Sequence, residues 1–306
     1  MKQRQRQRAV QEGSMPSEST SPTTVSGSTR LYGIMGYPIG HSLSPLMHTL
    51  AFRQHGLDAV YVPFSVAPDE LGKAVAGAAA LGVAGFNVTI PHKEAIMACL
   101  DEVTDEASAI GAVNTVHVHD GRSTGHNTDG AGFLQPLQGL GAPLDQLTVC
   151  VLGAGGAARA LAAALLNAGC PRLLIANRTH ARGERLAADL QKGFAAAEVR
   201  AVPMAAAADA ARQSRLVVNA TSLGMHEGDE PVLPRRCFAP GQIVYDIVYR
   251  PLNTPFLQDA RAAGAATIGG LDMLLGQGAA AFTIWTGLDF PLQAVRPALE
   301  ARLAQG

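Results

Sequence analysis

The stretch Thr148–Ala160, TVCVLGAGGAARA, decides the fold. It opens as a short apolar run of the kind a buried strand uses and closes as the start of an alanine-rich helix. Between the two stands Gly153-x-Gly155-x-x-Ala158, the dinucleotide fingerprint with alanine in its third place. Gly153 permits the tight turn. Gly155 lets backbone amides approach a pyrophosphate, which then sits at the positive end of the helix. The strand before it and the helix after it separate this motif from a glycine-rich structural turn.

The end of the following strand, RLLIANR, selects the nucleotide. An NAD binder places an acid there for the ribose 2′-hydroxyl. This chain has Asn177-Arg178-Thr179, with Arg182 one turn later. A carboxylate repels a 2′-phosphate, whereas a guanidinium grips it bidentately. The expected cofactor is therefore NADP.

Onward from the motif the α/β pattern continues: ARGERLAADLQ as a helix, RLVVNATS and QIVYDIVY as strands. The C-terminal runs GLDMLLGQGAAAFTIWTG and LQAVRPALEARLA read as helices. Backward from it lies a second α/β unit. RLYGIMG, AVYVPFSV and AGFNVTI read as strands, SPLMHTLAFRQHG and PDELGKAVAGAAALG as helices between them. Ser44 is the expected cap of the first helix, with Pro45 in its first turn and Gly56 past its end. The βαβαβ order argues for a mostly parallel sheet. TDEASAIGAVNTVHV adds a short helix and a further strand, and the boundary between the two units is expected near Asp129.

Four polar patches in the first unit fall where strands end or helices begin: Ser42 and Ser44; Asn87, Thr89 and Lys93; Asn114; and Asn127 with Asp129. Ligands of open α/β sheets bind outside the carboxyl ends of the strands. Each patch has a plain structural explanation as a cap or turn, except Lys93, which caps nothing at a strand exit. Together they suit a small ligand with several hydroxyls or a carboxylate.

Composition agrees with an enzyme of this build. The chain has 306 residues, 47% hydrophobic and 16% charged, with a net charge of −1. That length suits two domains, and that balance gives no general pull toward nucleic acid or an anionic membrane. The four cysteines, Cys99, Cys150, Cys170 and Cys237, show no metal-ligand spacing and read as reduced thiols of a cytoplasmic protein. His117 and His119, two apart on a strand, lack a third ligand and read as surface residues, so no metal is expected. No stretch of roughly 18 residues is continuously apolar, as a membrane span requires. Residues 1–29, beginning with the alternating KQRQRQR, lack apolar periodicity and an apolar signal core and are expected to be a disordered extension.

The motifs together resemble the shikimate dehydrogenase family from about Leu31 to the C-terminus. They are GYPIGHSLSPLMH, GFNVTIPHK, GAVNT, NTDGAGF, GAGGAARA, NRT, NATSLGM, YDIVYRPLNTP and GLDMLLGQGAAAF. The resemblance implies NADPH-linked reduction of 3-dehydroshikimate to shikimate in aromatic amino-acid biosynthesis, by a monomer or homodimer. It implies that Lys93 and Asp129 are the catalytic pair and that Ser42 and Ser44 hold the substrate carboxylate. Asn87, Thr89, Asn114, Tyr249 and Gln277 complete the substrate site. On the cofactor side it implies Gly153, Ala154, Gly155, Gly156 and Ala157, then Asn177, Arg178, Thr179 and Arg182, then Thr221 and Met225. Ile247 and Gly270 flank the nicotinamide, and Asp105 approaches the cofactor. It further implies a discontinuous substrate-binding domain of residues 30–129 and 270–306 around a Rossmann-type NADP-binding domain of residues 130–269. One departure is Thr49, where many members carry Asn after the histidine.

A charged lysine, with an ordinary pKa near 10.4, is an acid and serves the reduction directly. The oxidation needs a base, either Asp129 or a Lys93 that has lost its proton. Two rival readings share these motifs. An NAD-dependent quinate/shikimate dehydrogenase calls for an acid where Asn177 stands. A non-catalytic NADP-binding sensor has no need of both Lys93 and Asp129.

Overall fold

The computed structural model describes residues 25–226 and 228–305. Twelve strands form two six-stranded sheets among these residues. The first sheet takes β1 (Arg30–Gly36), β2 (Ala59–Ser65), β3 (Gly85–Val88), β4 (Glu102–Val103), β5 (Thr115–His119) and β6 (Arg122–His126), in the order β2-β1-β3-β5-β6-β4. β1 pairs parallel with β2 and β3, as the βαβαβ pattern requires. β5 runs antiparallel to both β3 and β6, so the sheet is mixed. The chain reaches β5 from β3 through β4 and α3 and enters it in the opposite direction, and the hairpin turn at Asp120-Gly121, both φ positive, then reverses β6 against β5.

The second sheet takes β7 (Thr148–Leu152), β8 (Arg172–Asn177), β9 (Glu198–Pro203), β10 (Leu216–Asn219), β11 (Ile243–Asp246) and β12 (Ala266–Ile268). Every pairing is parallel, and the order β12-β11-β10-β7-β8-β9 is that of a doubly wound dinucleotide-binding sheet. The order reverses between β7 and β10. That switch point opens a crevice at the carboxyl ends of these strands, where the glycine loop lies.

The helices are α1 (Ser44–Gln54), α2 (Leu71–Ala80), α3 (Asp105–Ile110), α4 (Asp129–Gly139), α5 (Gly156–Asn167), α6 (His180–Gly193), α7 (Ala207–Gln213), α8 (Pro255–Ala262), α9 (Gly270–Thr286) and α10 (Leu292–Ala304). Leu271, Leu275, Phe282 and Trp285 of α9 and Val295 and Leu299 of α10 share a core with Met47 and Phe52 of α1 and Tyr32 of β1. The chain therefore returns to the first sheet at its end. α4 crosses α9 at contact distance: a Cβ on Gly132 would fall 2.3 Å from the Gln277 nitrogen, and one on Gly276 would fall 2.8 Å from the Gly132 Cα. Phe133 of α4 meanwhile stacks on Tyr245 of β11, ring centroids 4.8 Å apart. One helix thus packs against both halves of the molecule and carries Asp129 at its first residue.

Of the expected N-terminal extension, residues 1–24 lie outside the described residues. Its last part belongs to the fold, because the hydroxyls of Ser26, Ser28 and Thr29 donate to the Asp58 carboxylate. Asp58, the residue directly before β2, captured these hydroxyls, and local periodicity carries no trace of such a contact. Among the described residues no helix is long and apolar enough to cross a membrane.

Candidate active site at the carboxyl ends of the two sheets

β3 ends at Val88, and the chain turns at once. The Thr89 amide still donates to Met35, but His92 N donates back to the Thr89 carbonyl and closes a turn. Ile90 is consequently 72% exposed rather than continuing the inward face of Val88. The turn is anchored from below by the buried His92 ring, bonded to the Val66 carbonyl at 2.8 Å. Val113 N donates to the Lys93 carbonyl. With its backbone pinned, Lys93 extends Nζ to Asp129 Oδ2 at 2.5 Å, the two side chains 15% and 5% exposed. Asp129 lies in the first turn of α4, where the helix dipole favours a negative charge. Its amide is held by Asn127 Oδ1 at 3.1 Å.

The other carboxylate oxygen of Asp129 accepts from Asn114 Nδ2 at 2.8 Å. Asn114 and Thr128 are themselves buried and bonded to one another. Asn87 spends its amide hydrogens on the Asn114 carbonyl and on Thr115 Oγ1. Asn87, Asn114, Asn127 and Asp129 thus meet in one buried polar cluster around Lys93, as the sequence patches anticipated.

Ser44 is not the cap of α1. Leu43 occupies that position, and no side chain caps the helix. Ser42 Oγ instead accepts from the Ser44 amide at 3.3 Å, a two-residue turn that satisfies this donor. Thr89 is half-buried beside Gly36, where an added Cβ would fall 2.5 Å from the Thr89 methyl. Gln277 sits on α9 with Nε2 on the Leu274 carbonyl. Its two glycine neighbours face Gly132 and Met47, so the position of Gln277 is set by two helix contacts at once. Tyr249 is half-buried, and burial pushes its phenol above the ordinary range.

On the other sheet, Gly153 has φ +118°, and a Cβ there would meet the Ala220 carbonyl oxygen at 2.8 Å. Only glycine turns between β7 and β10 this way. An added Cβ on Gly155 would meet nothing within 4 Å, and no side chain among the described residues caps α5, so its first amides keep no side-chain partner. These features fit a dinucleotide pyrophosphate. Ala154 and Ala157 are half-buried on the same loop. Gly156 ties the two halves together, because a Cβ there would lie 3.8 Å from the Lys93 side chain.

Asn177 Nδ2 bonds the Thr179 carbonyl at 2.8 Å and shapes the turn after β8. Arg178 and Arg182 are exposed there, and neither has a carboxylate partner among the described residues. Thr221 and the exposed Met225 follow β10. Thr221 donates through both N and Oγ1 to Asn219 Oδ1. Ile247 N donates to the Asn219 carbonyl, and Gly270 approaches so closely that a Cβ would fall 2.3 Å from the Ile247 oxygen. Asp105 stands apart, exposed in the first turn of α3, and no bond ties it to the glycine loop.

Six residues that build the site had gone unmarked. Asn219 and Asp246 end β10 and β11, and a polar residue at a strand's carboxyl end is a signal that could have found them. Asp246 accepts from Asn219 Nδ2, Val248 N and Thr254 Oγ1, and burial raises its pKa to about 6 against those three bonds. Tyr61, Thr115, Thr128 and His48 gave no signal. Tyr61 and Thr115 sit in strands, where both residue types are common anyway. His48 is fully buried, and neither ring nitrogen has a hydrogen-bond partner among the described residues. Burial lowers its pKa to about 3, the Asn87 side chain opposing. Among the described residues no group of three or more His, Cys, Asp or Glu could hold a metal ion.

Comparison with known proteins agrees with this architecture. Residues 34–116 match the shikimate dehydrogenase substrate binding domain, residues 138–227 the shikimate / quinate 5-dehydrogenase family, and residues 270–300 the shikimate 5′-dehydrogenase C-terminal domain. A shikimate dehydrogenase (NADP+) from Citrifermentans bemidjiense is 49% identical over 283 residues, 92% of this chain and 98% of the relative. The structure of a shikimate 5-dehydrogenase from Thermus thermophilus in complex with NADP(H) and shikimate superposes with a TM-score of 0.80 at 40% identity, covering 90% of this chain and all of that one. A quinate dehydrogenase from Corynebacterium glutamicum in complex with NAD gives a TM-score of 0.83 at 33% identity, covering 89% and 99%. The chain belongs to the shikimate dehydrogenase family.

Proposed function

We infer that this chain is an NADP-dependent shikimate dehydrogenase, reducing 3-dehydroshikimate to shikimate and running the reverse. The observation that carries the assignment is Lys93, bound to Asp129 at 2.5 Å and lying against Gly156 at the head of the cofactor helix. A proton donor at that place meets both the substrate pocket and the end of the nucleotide site.

Bound NADPH supplies the hydride. The chain supplies the proton and the geometry. The Lys93 ammonium donates to the carbonyl oxygen as it gains negative charge, so the hydroxyl forms with one proton from Lys93 and the atoms balance. Asp129 holds the lysine in one direction and favours its charged form. In oxidation the same pair takes the hydroxyl proton. Ser42 and Ser44 receive the ring carboxylate beside the start of α1. Thr89, Asn114, Tyr249 and Gln277 read the ring hydroxyls, and Asn87 braces the floor. Gly153 to Ala157 take the pyrophosphate, and Asn177, Arg178, Thr179 and Arg182 the adenosine 2′-phosphate. Ile247 and Gly270 flank the nicotinamide, Thr221 and Met225 line the cofactor side, and Asp105 approaches the cofactor from the first turn of α3.

The packing of α9 and α10 on α1 and β1 supports a substrate-binding unit of residues 30–129 with 270–306, around a cofactor unit of residues 130–269. Four unpaired thiols support a cytoplasmic setting.

The test is oxidation of shikimate and of quinate, each with NADP and with NAD. Turnover of shikimate with NADP far above the other three combinations is expected. A preference for NAD, or for quinate, moves the chain to the NAD-linked quinate class. No turnover with any pair leaves only nucleotide binding.

A further inference from the structure

The Asn87 carboxamide is gripped from two sides. Tyr61 of β2 is buried, and its phenol donates to Asn87 Oδ1 at 2.7 Å. The direction of that bond follows from chemistry. Asn87 Nδ2 lies 3.3 Å from the Asn114 carbonyl, which only accepts, so Oδ1 must face the phenol. The same Nδ2 reaches Thr115 Oγ1 at 3.0 Å, and the Thr115 hydroxyl lies 3.1 Å from Asn114 Oδ1. Asn114 is oriented in its turn, because the Thr128 N–H can only donate and meets Oδ1 at 2.7 Å. Its Nδ2 is left to donate to Asp129 Oδ1 at 2.8 Å. A continuous chain therefore runs from Tyr61 through Asn87, Thr115 and Asn114 to Asp129 and Lys93.

Behind Tyr61 the packing is equally closed. The His48 ring stacks on the phenol ring, centroids 4.7 Å apart and planes 15° from parallel. Burial pushes the phenol's pKa well above the ordinary range, with the Ser44 side chain of α1 opposing. Removing the phenol hydroxyl leaves Asn87 Oδ1 as a buried acceptor without this donor, and a carboxamide in that state shifts to recover one. Each later link depends on the same amide, and a displacement of about 1 Å at a reacting group costs up to roughly a hundredfold in rate.

We propose that Tyr61 is a positioning residue of this enzyme: its phenol holds the Asn87 carboxamide, and through Thr115 and Asn114 fixes Asp129 and the direction of the Lys93 ammonium. The proposal rests on the reading of Lys93 and Asp129 as the proton-transfer pair.

The experiment compares Tyr61→Phe, Thr115→Val, Thr115→Ser, the Tyr61→Phe/Thr115→Val double variant and Lys93→Ala in shikimate oxidation, with NADP binding measured directly. Tyr61→Phe keeps the ring and its packing and removes one hydroxyl. Its kcat is expected to fall about three- to tenfold, the worth of one hydrogen bond. NADP affinity is expected to stay within about twofold, the usual error of independent sites. Thr115→Val should show the same loss and Thr115→Ser should restore kcat. The double variant should lose little more than either single, because both break one chain. A residue that only packs leaves kcat unmoved in Tyr61→Phe, and that result overturns the proposal. So does a double variant whose loss is the product of the singles. If Tyr61→Phe does not fold, the Thr115 pair decides: loss with Val and rescue with Ser supports the chain, and parent turnover with Val overturns it. If Lys93→Ala keeps parent turnover, the proton-transfer reading fails first. If Lys93→Ala is inactive while Tyr61→Phe and Thr115→Val both turn over normally, only the present proposal fails.

Discussion

Two buried aspartates, one on each side of the site, are held in opposite ways. Asp129 has a cation at 2.5 Å and one neutral donor on its other oxygen. Asp246 has three neutral donors, Asn219, Val248 N and Thr254, and no cation among the described residues. The first keeps a charge in place where a proton must move. The second braces the strand ends that carry Thr221 and Ile247, and its carboxyl is pushed toward the neutral form. The difference extends to the surroundings. The substrate floor is a closed network of side chains that satisfy one another before any ligand arrives. The glycine-loop side is open backbone, with no side-chain cap on α5 and two arginines without a carboxylate partner among the described residues. In the proposed reading, substrate recognition is preorganised by side-chain bonds, and nucleotide recognition by what the fold leaves unsatisfied.

The largest effect is expected from removing the cation of the first aspartate. Lys93→Ala should lower turnover of shikimate by roughly 10²–10⁴-fold, the usual worth of a positioned acid or base. Steady-state kinetics measures it. A next, smaller break falls on the open side. Arg178→Ala should raise the KM for NADP by about ten- to hundredfold, the worth of a charge-assisted bond to a phosphate, and leave the KM for NAD nearly unchanged. Equal increases for both nucleotides would remove the 2′-phosphate from Arg178.

The smallest effect sharpens the contrast between the two carboxylates. The Asp246 pKa is raised from 3.8 to about 6. The folded protein holds this proton more tightly than the unfolded chain. Its contribution to stability is therefore full below pH 3.8 and is lost as pH rises through about 6. Asp246→Asn keeps all three contacts, since its amide nitrogen can donate to Thr254 Oγ1, and it removes the titration. Relative to the parent, the variant should be more stable at pH 8 than at pH 4.5, by on the order of 2 kcal/mol. Denaturant unfolding at the two pH values measures it, and a pH-independent difference would show that Asp246 does not titrate there.

The two halves were also legible to different degrees. The glycine loop announces itself because a backbone cradle needs glycines at set spacing between a strand and a helix. Arg178 and Arg182 stand out in the sequence for the same reason, lying at a fixed distance along the chain. The side-chain floor was legible only in its polar members at strand ends, such as Lys93, Asn114 and Asp129. Tyr61 and Thr115 were hidden, since in a strand they look like ordinary β residues, and their partners lie 26 and 28 positions from or to Asn87. Ser44 misled because a serine before Pro45 is what a helix cap looks like, while the observed bond runs from its amide to Ser42. The antiparallel direction of β5 escaped because it is set by the path of the chain from β3 through β4 and α3, which no residue pattern marks.

The most direct measurement is calorimetric titration of the Lys93→Ala protein with shikimate and, separately, with NADP, set beside its turnover. NADP affinity is expected to equal that of the parent. Shikimate affinity is expected to weaken only by the 0.5–3 kcal/mol or so of one hydrogen bond, far less than the loss in rate. A loss of shikimate binding as large as the loss of turnover would contradict this, and would make Lys93 an anchor with the proton donor elsewhere.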